Sequence, residues 1–181
     1  MNKEIINLPN TITFIRLVLI PFIIYFMYLD TSFNNFMATF LFIVACLSDY
    51  FDGLVARLNK VVTDFGKIFD QIVDKILVCS ILVILVEISR VDGWIVAILI
   101  AREFAISGMR NYLSYKGVIV PAFKSGKIKT FTQMTAIICL LLYDKYFSIN
   151  FYLAGTIFIY VALFFSIYSF FEYYFRLFKT A

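Results

Sequence analysis

The chain has 181 residues, 62% of them hydrophobic and only 15% charged, with a mean hydropathy of +0.91 and a formal net charge of +4. A water-soluble domain carries about 25% charge and about 45–50% apolar residues, so the composition excludes an ordinary soluble enzyme. Histidine is absent, which removes imidazole acid–base chemistry and makes a zinc or haem centre a poor fit.

In chain order, residues 1–10 are polar and no small-residue cleavage site follows the first apolar block, so that block is expected to be a retained span and not a signal. Within NLPNTIT (7–13), Pro9 has no backbone donor and Asn10 or Thr11 is placed to cap the first helix, with a short interfacial helix expected before it. Apolar blocks then fall at 12–29, 33–47, 68–88, 94–115, 128–143 and 151–175, against the roughly 20 residues that a helix needs to cross a bilayer. The connections are short and no repeat is visible. The expected fold is an all-α integral membrane protein of six transmembrane helices in a single domain over 1–181. Cys46, Cys79 and Cys139 each lie inside an apolar block without metal-ligand spacing and read as small buried hydrophobes.

Charge sets the orientation. The connections 30–32, 87–93 and 144–150 hold Arg90 and Lys145 against Asp30, Glu87, Asp92 and Asp144. The other side collects Lys3, Arg57, Lys60, Lys67, Lys116, Lys124, Lys127, Lys129, Arg176 and Lys179. By the positive-inside rule this second side and both termini face the cytoplasm, with Trp94, Tyr146 and Tyr152 at the outer interface. Anionic membrane lipids account for the net positive charge without a nucleic-acid partner. The longest cytoplasmic connection, 116–126, places Pro121 and basic residues around a small apolar core at 118–120, in the headgroup region.

The chemistry concentrates in 48–75, SDYFDGLVARLNKVVTDFGKIFDQIVDK. Asp49 and Asp52 are three apart and Asp70 and Asp74 four apart, so each pair shares a helix face. Asp49 precedes Arg57 by eight residues and Asp74 follows Gly66 by eight. At about 1.5 Å per residue each lies roughly 12 Å from the cytoplasmic end of its helix. Two antiparallel neighbours would bring all four carboxylates to one level. A single acid in a span is as readily a structural ion-pair partner as a functional group. Four uncompensated aspartates would cost on the order of 10 kcal/mol, at about 2.5–3.5 kcal/mol each. Arg57 and Lys67 are the nearby bases that would neutralise some of them. Divalent ions relieve the remaining repulsion, and oxygen-only ligation selects magnesium, manganese or calcium. Two such ions suit in-line phosphoryl substitution. Gly53 and Ala56 leave room for a phosphate, and Arg57 offers it a forked donor.

The arrangement Asp49-x-x-Asp52-Gly53-x-x-Ala56-Arg57, eight residues, Gly66-x-x-x-Asp70-x-x-x-Asp74 resembles the signature of the CDP-alcohol phosphotransferase family at every fixed position. Gln71 and Val73 stand where the family often has Pro and usually has Ala. The resemblance implies six spans, a homodimer and transfer of a phosphatidyl or similar group from a CDP-alcohol to an acceptor hydroxyl, with release of CMP. It makes Asp49, Asp52 and Asp70 ligands of two divalent cations, Mg2+ or Mn2+. Asp74 becomes the general base and a further metal contact. Gly53, Ala56, Arg57 and Gly66 become the lining of the CDP-lipid pocket.

NLPNTITFIRLVLIP, REFAISGMRNYLSYKG and SGKIKTFTQM extend the resemblance to the branch that joins CDP-diacylglycerol to sn-glycerol 3-phosphate. An anionic acceptor also fits the residues. Glu103, Ser107 and Arg110 share one face of the fourth span, and Lys127 opens the fifth beside Ser125 and Gly126. Arg110, Lys124 and Lys127 are the candidates for the acceptor phosphate. Lys116 and Lys129 are expected to face lipid headgroups, and Arg102 to make a structural bond to a carboxylate or carbonyl. Phosphatidylglycerol, inositol phosphate or serine are the other acceptors within the family. Outside it, buried acids and arginine also fit an ion-coupled transporter, although no internal repeat supports one.

Overall fold

The computed structural model describes residues 8–58, 64–117, 123–146 and 149–180, with backbone alone for 8–12, 49–58, 64, 65, 67, 145, 146 and 176–180. The expected interfacial helix before the first span lies outside the described residues. Six helices form: α1 (Leu8–Leu29), α2 (Ser32–Leu58), α3 (Asp64–Glu87), α4 (Gly93–Tyr115), α5 (Lys124–Leu142) and α6 (Phe151–Thr180). Packing divides the chain into two units, Met1–Ile88 and Ser89–Ala181.

In the first unit α1 packs along both α2 and α3. Thr13, Arg16, Ile20, Ile23 and Met27 recur at intervals of three and four and are buried, while Phe14, Ile15, Val18, Phe22 and Tyr25 on the opposite side are exposed. Asn10 and Thr11 do not cap this helix, as the sequence had suggested. It begins at Leu8, because Pro9 fits the first turn, where an N–H would have no acceptor in any case. At the other end, the Tyr28 hydroxyl donates to Glu87 Oε2 at 2.6 Å, joining the last turns of α1 and α3.

In the second unit α6 packs against α5 and α4. Gly155 permits the close approach of α6 to α5: a Cβ there would lie 2.7 Å from Leu140 Cγ and 3.0 Å from the Leu140 backbone nitrogen. Gly117, at φ +76°, ends α4 in the left-handed conformation that a residue without a Cβ adopts at least cost. The connection after α5 contains two short antiparallel strands, β1 (Lys145–Tyr146) and β2 (Ile149–Asn150). Arg90 is buried and donates to the carbonyls of Leu140 and Leu141 at 2.9 and 3.0 Å, with its guanidinium over the Tyr143 ring. It thus satisfies the last carbonyls of α5, which have no intrahelical donor.

Both units bury polar side chains within an apolar core and expose large apolar ones. Arg16, Thr39, Lys129, Gln133, Ser166 and Ser169 are buried, whereas Phe33, Phe104, Phe131, Phe164 and many other large apolar side chains are exposed. Among the described residues one segment, Phe151–Phe175, is long and apolar enough to cross a membrane, and Thr13–Leu29 and Ser32–Ser48 are shorter apolar stretches.

Candidate functional site

Gly66, Asp70 and Asp74 succeed one another at intervals of four along α3, and all three are half-buried. The neighbouring line on the same helix, Val73, Leu77 and Ile81, is fully buried. The carboxylates therefore stand at the margin of the apolar contact, fixed by α3 packing yet open on one side. Asp70 keeps 41% of its side chain accessible.

Asp70 has a partner that sequence reasoning did not name. Arg16 Nη1 donates to Asp70 Oδ1 at 3.1 Å, and Thr13 Oγ1 reaches the same oxygen at 3.5 Å. Thr13 and Arg16 lie three residues apart on the buried face of α1, so one helix surface presents both donors. The anticipated neutralising bases were Arg57 and Lys67, whose side chains lie outside the described residues. Among the described residues, Arg16 is a cation paired with Asp70. A signal for it was present: a lone charge in an apolar span marks a functional site by default.

Asp49, Asp52, Gly53, Ala56 and Arg57 belong to the last turns of α2, which stays helical to Leu58, so the paired spacing does lie on a helix. Their side chains lie outside the described residues. Among the described residues no group of three or more acidic, cysteine or histidine side chains forms a metal cluster, two of the four signature aspartates being within that set. Asp70 fits a divalent cation on its own chemistry. It is an oxygen donor, it is anchored from the protein side, and it is partly open on the other.

The second unit contains a polar seam along α4, α5 and α6. Glu103 accepts from Lys129 Nζ and, at 3.2 Å, from Arg102 Nη1. Arg102 Nη2 also donates to Ser169 Oγ at 2.6 Å. Its structural pairing with a carboxylate is thus as anticipated. Lys129 is different: it was expected at the headgroups but is only 3% exposed, because Glu103 on α4 faces it. Arg110 Nη2 donates to the Tyr173 hydroxyl at 2.7 Å, and Phe123 packs edge-on against that ring. Ser125 Oγ donates to Glu172 Oε2 at 2.6 Å. Glu172 and Tyr173 escaped the sequence reading because nothing in an apolar periodicity identifies the partner helix.

Lys124 and Lys127 are exposed in the first turn of α5. That helix begins at Lys124, three residues before Lys127, and its first turn holds Lys127 beside Ser125 and Gly126. Of the three candidates for the acceptor phosphate, the two lysines share this helix start, while Arg110 is held on Tyr173 by α6.

The profile of the CDP-alcohol phosphatidyltransferase family matches residues 6–168. Among curated proteins, the chain is 38% identical over 170 residues to the CDP-diacylglycerol–glycerol-3-phosphate 3-phosphatidyltransferase of Rickettsia felis, covering 92% of this chain and 94% of the relative. The protein of the same name from Rickettsia typhi is 39% identical over 92% of this chain and 96% of its own length. That from Bacillus subtilis is 36% identical over 93% of each.

Proposed function

Because this chain belongs to the CDP-alcohol phosphatidyltransferase family, we propose that it transfers the phosphatidyl group of CDP-diacylglycerol to sn-glycerol 3-phosphate, yielding phosphatidylglycerophosphate and CMP. The observation that carries this reading is the 36–39% identity, over almost the full length, to relatives whose names state that donor and that acceptor. The family match runs across the division between the two packing units, which supports one transferase domain over residues 1–181.

In this reading the six helices span the cytoplasmic membrane, with both termini inside, and the enzyme is a homodimer. The outward-facing aromatic and aliphatic side chains and the inward-facing charges support a lipid surround, since polar groups in a bilayer must be satisfied internally. Asp49, Asp52, Asp70 and Asp74 hold two divalent cations, Mg2+ or Mn2+. When bound, such ions offset the negative charge that grows on the phosphoryl oxygens during substitution. Gly53, Ala56, Arg57 and Gly66 bind the CDP portion of the lipid.

Asp74 accepts the proton of the acceptor's primary hydroxyl as that oxygen attacks the lipid-side phosphorus. The bond from this phosphorus to the bridging oxygen breaks, and CMP leaves with that oxygen. The anionic end of the acceptor is held by Arg110, Lys124 and Lys127. The start of α5 supports this assignment, since its first N–H groups and two exposed lysines both favour an anion. CMP release that depends on sn-glycerol 3-phosphate tests the proposal.

A further inference from the structure

We infer that Arg16 is a positioning residue for metal binding: buried on α1, it fixes the Asp70 carboxylate in the orientation that a divalent cation requires. The inference rests on the proposed role of Asp70 as a metal ligand. Arg16 is 0% exposed and lies on an apolar helix face, where a guanidinium is costly unless an anion and hydrogen bonds compensate it. A purely apolar residue would pack α1 on α3 without that cost. What the arginine adds is direction. It approaches Asp70 from the protein side and donates to Oδ1, the oxygen that Thr13 also reaches. Two donors from one helix on one oxygen select a single rotamer of a side chain that otherwise has 41% of its surface open. The carboxylate is then presented outward from α3 in a set direction. Groups that orient a ligand in this way typically change metal affinity by about 10–100-fold when removed.

The sign of the effect separates this role from two simpler ones. If Arg16 served only to pack α1, its loss would lower thermal stability and leave metal affinity alone. If its charge mainly repelled the cation, its loss would tighten binding. The experiment is titration of the purified full-length protein in detergent with Mn2+, read from the EPR signal of the free ion, for wild type, Arg16→Met, Arg16→Lys and Asp70→Ala. Arg16→Met is expected to weaken Mn2+ binding by about 10–100-fold. Arg16→Lys keeps the charge but loses the planar fork, and is expected to weaken it by about ten-fold. It serves as the deciding variant if Arg16→Met fails to fold. Unchanged or tighter binding in the folded Arg16 variants, with Asp70→Ala impaired, overturns the positioning role alone. Wild-type Mn2+ binding by Asp70→Ala removes the metal-ligand reading, and the inference with it.

Discussion

Arg16 and Asp70, 54 positions apart in sequence, meet at 3.1 Å, with the arginine fully buried and the aspartate partly open. The first helix is thereby tied to the third at a residue of the family signature. An N-terminal helix outside the signature thus contributes to the geometry of a proposed ligand.

The first prediction concerns the metals. Replacing Asp49, Asp52 or Asp70 by Ala is expected to abolish turnover, and EDTA to do so reversibly, with Mg2+ or Mn2+ restoring the rate. Oxygen ligands of this kind bind hard cations that a chelator removes. Substantial turnover by metal-depleted wild type would contradict the two-cation reading.

Recognition of the acceptor is tested by neutralising Arg110 or Lys127. Loss of one charge-assisted contact of about 1.5–3 kcal/mol corresponds to roughly ten- to more than hundred-fold in binding. The KM for sn-glycerol 3-phosphate is expected to rise on that scale while the KM for the lipid nucleotide changes little. Since Arg110 also donates to Tyr173, Tyr173→Phe is the companion variant and is expected to raise the acceptor KM by less. Unchanged acceptor kinetics in both charge variants would assign these residues to the lipid headgroups.

Asp74→Asn keeps the size of the side chain but removes the proton acceptor. A general base contributes about 10²–10⁴-fold, and single-turnover CMP release is expected to fall by that factor while CDP-diacylglycerol still binds. If nucleotide binding is lost as completely as in Asp49→Asn, Asp74 is chiefly a metal ligand. Near-normal turnover would require another base.

A structural prediction follows from Gly155. Gly155→Ala places a methyl within 2.7–3.0 Å of Leu140 and is expected to destabilise the protein by about 1–3 kcal/mol. The unfolding midpoint in detergent measures this. In Leu140→Ala combined with Gly155→Ala the two losses are expected to be less than additive, since the shortened side chain no longer meets the new methyl. An unchanged midpoint in Gly155→Ala would show that α5 and α6 are not held this close.

Much of the helical layout was legible because the apolar runs and their polar interruptions are governed by local composition. The breaks at 30–32 and 87–93 coincide with the ends of α1 and α3 and the starts of α2 and α4. The β1–β2 hairpin was not legible, since strands of two residues are too short to show a period. The cap at Asn10 or Thr11 misread a proline that belongs in a first turn. Lys129 illustrates a different barrier. Its sequence neighbours are basic, and only the packing of α4 and α5 puts Glu103 beside it. Asp70 and Asp74 were identifiable from spacing, whereas the donor to Asp70 comes from another helix and had to be seen.

The central claim is tested most directly by CMP release from CDP-diacylglycerol in mixed micelles with the purified protein, with sn-glycerol 3-phosphate, phosphatidylglycerol, inositol phosphate and serine supplied separately. The account predicts release with sn-glycerol 3-phosphate, accompanied by equimolar phosphatidylglycerophosphate, and none with the other three. Release with another acceptor and none with sn-glycerol 3-phosphate would contradict the proposed acceptor, and no release with any of them would contradict the proposed transfer itself.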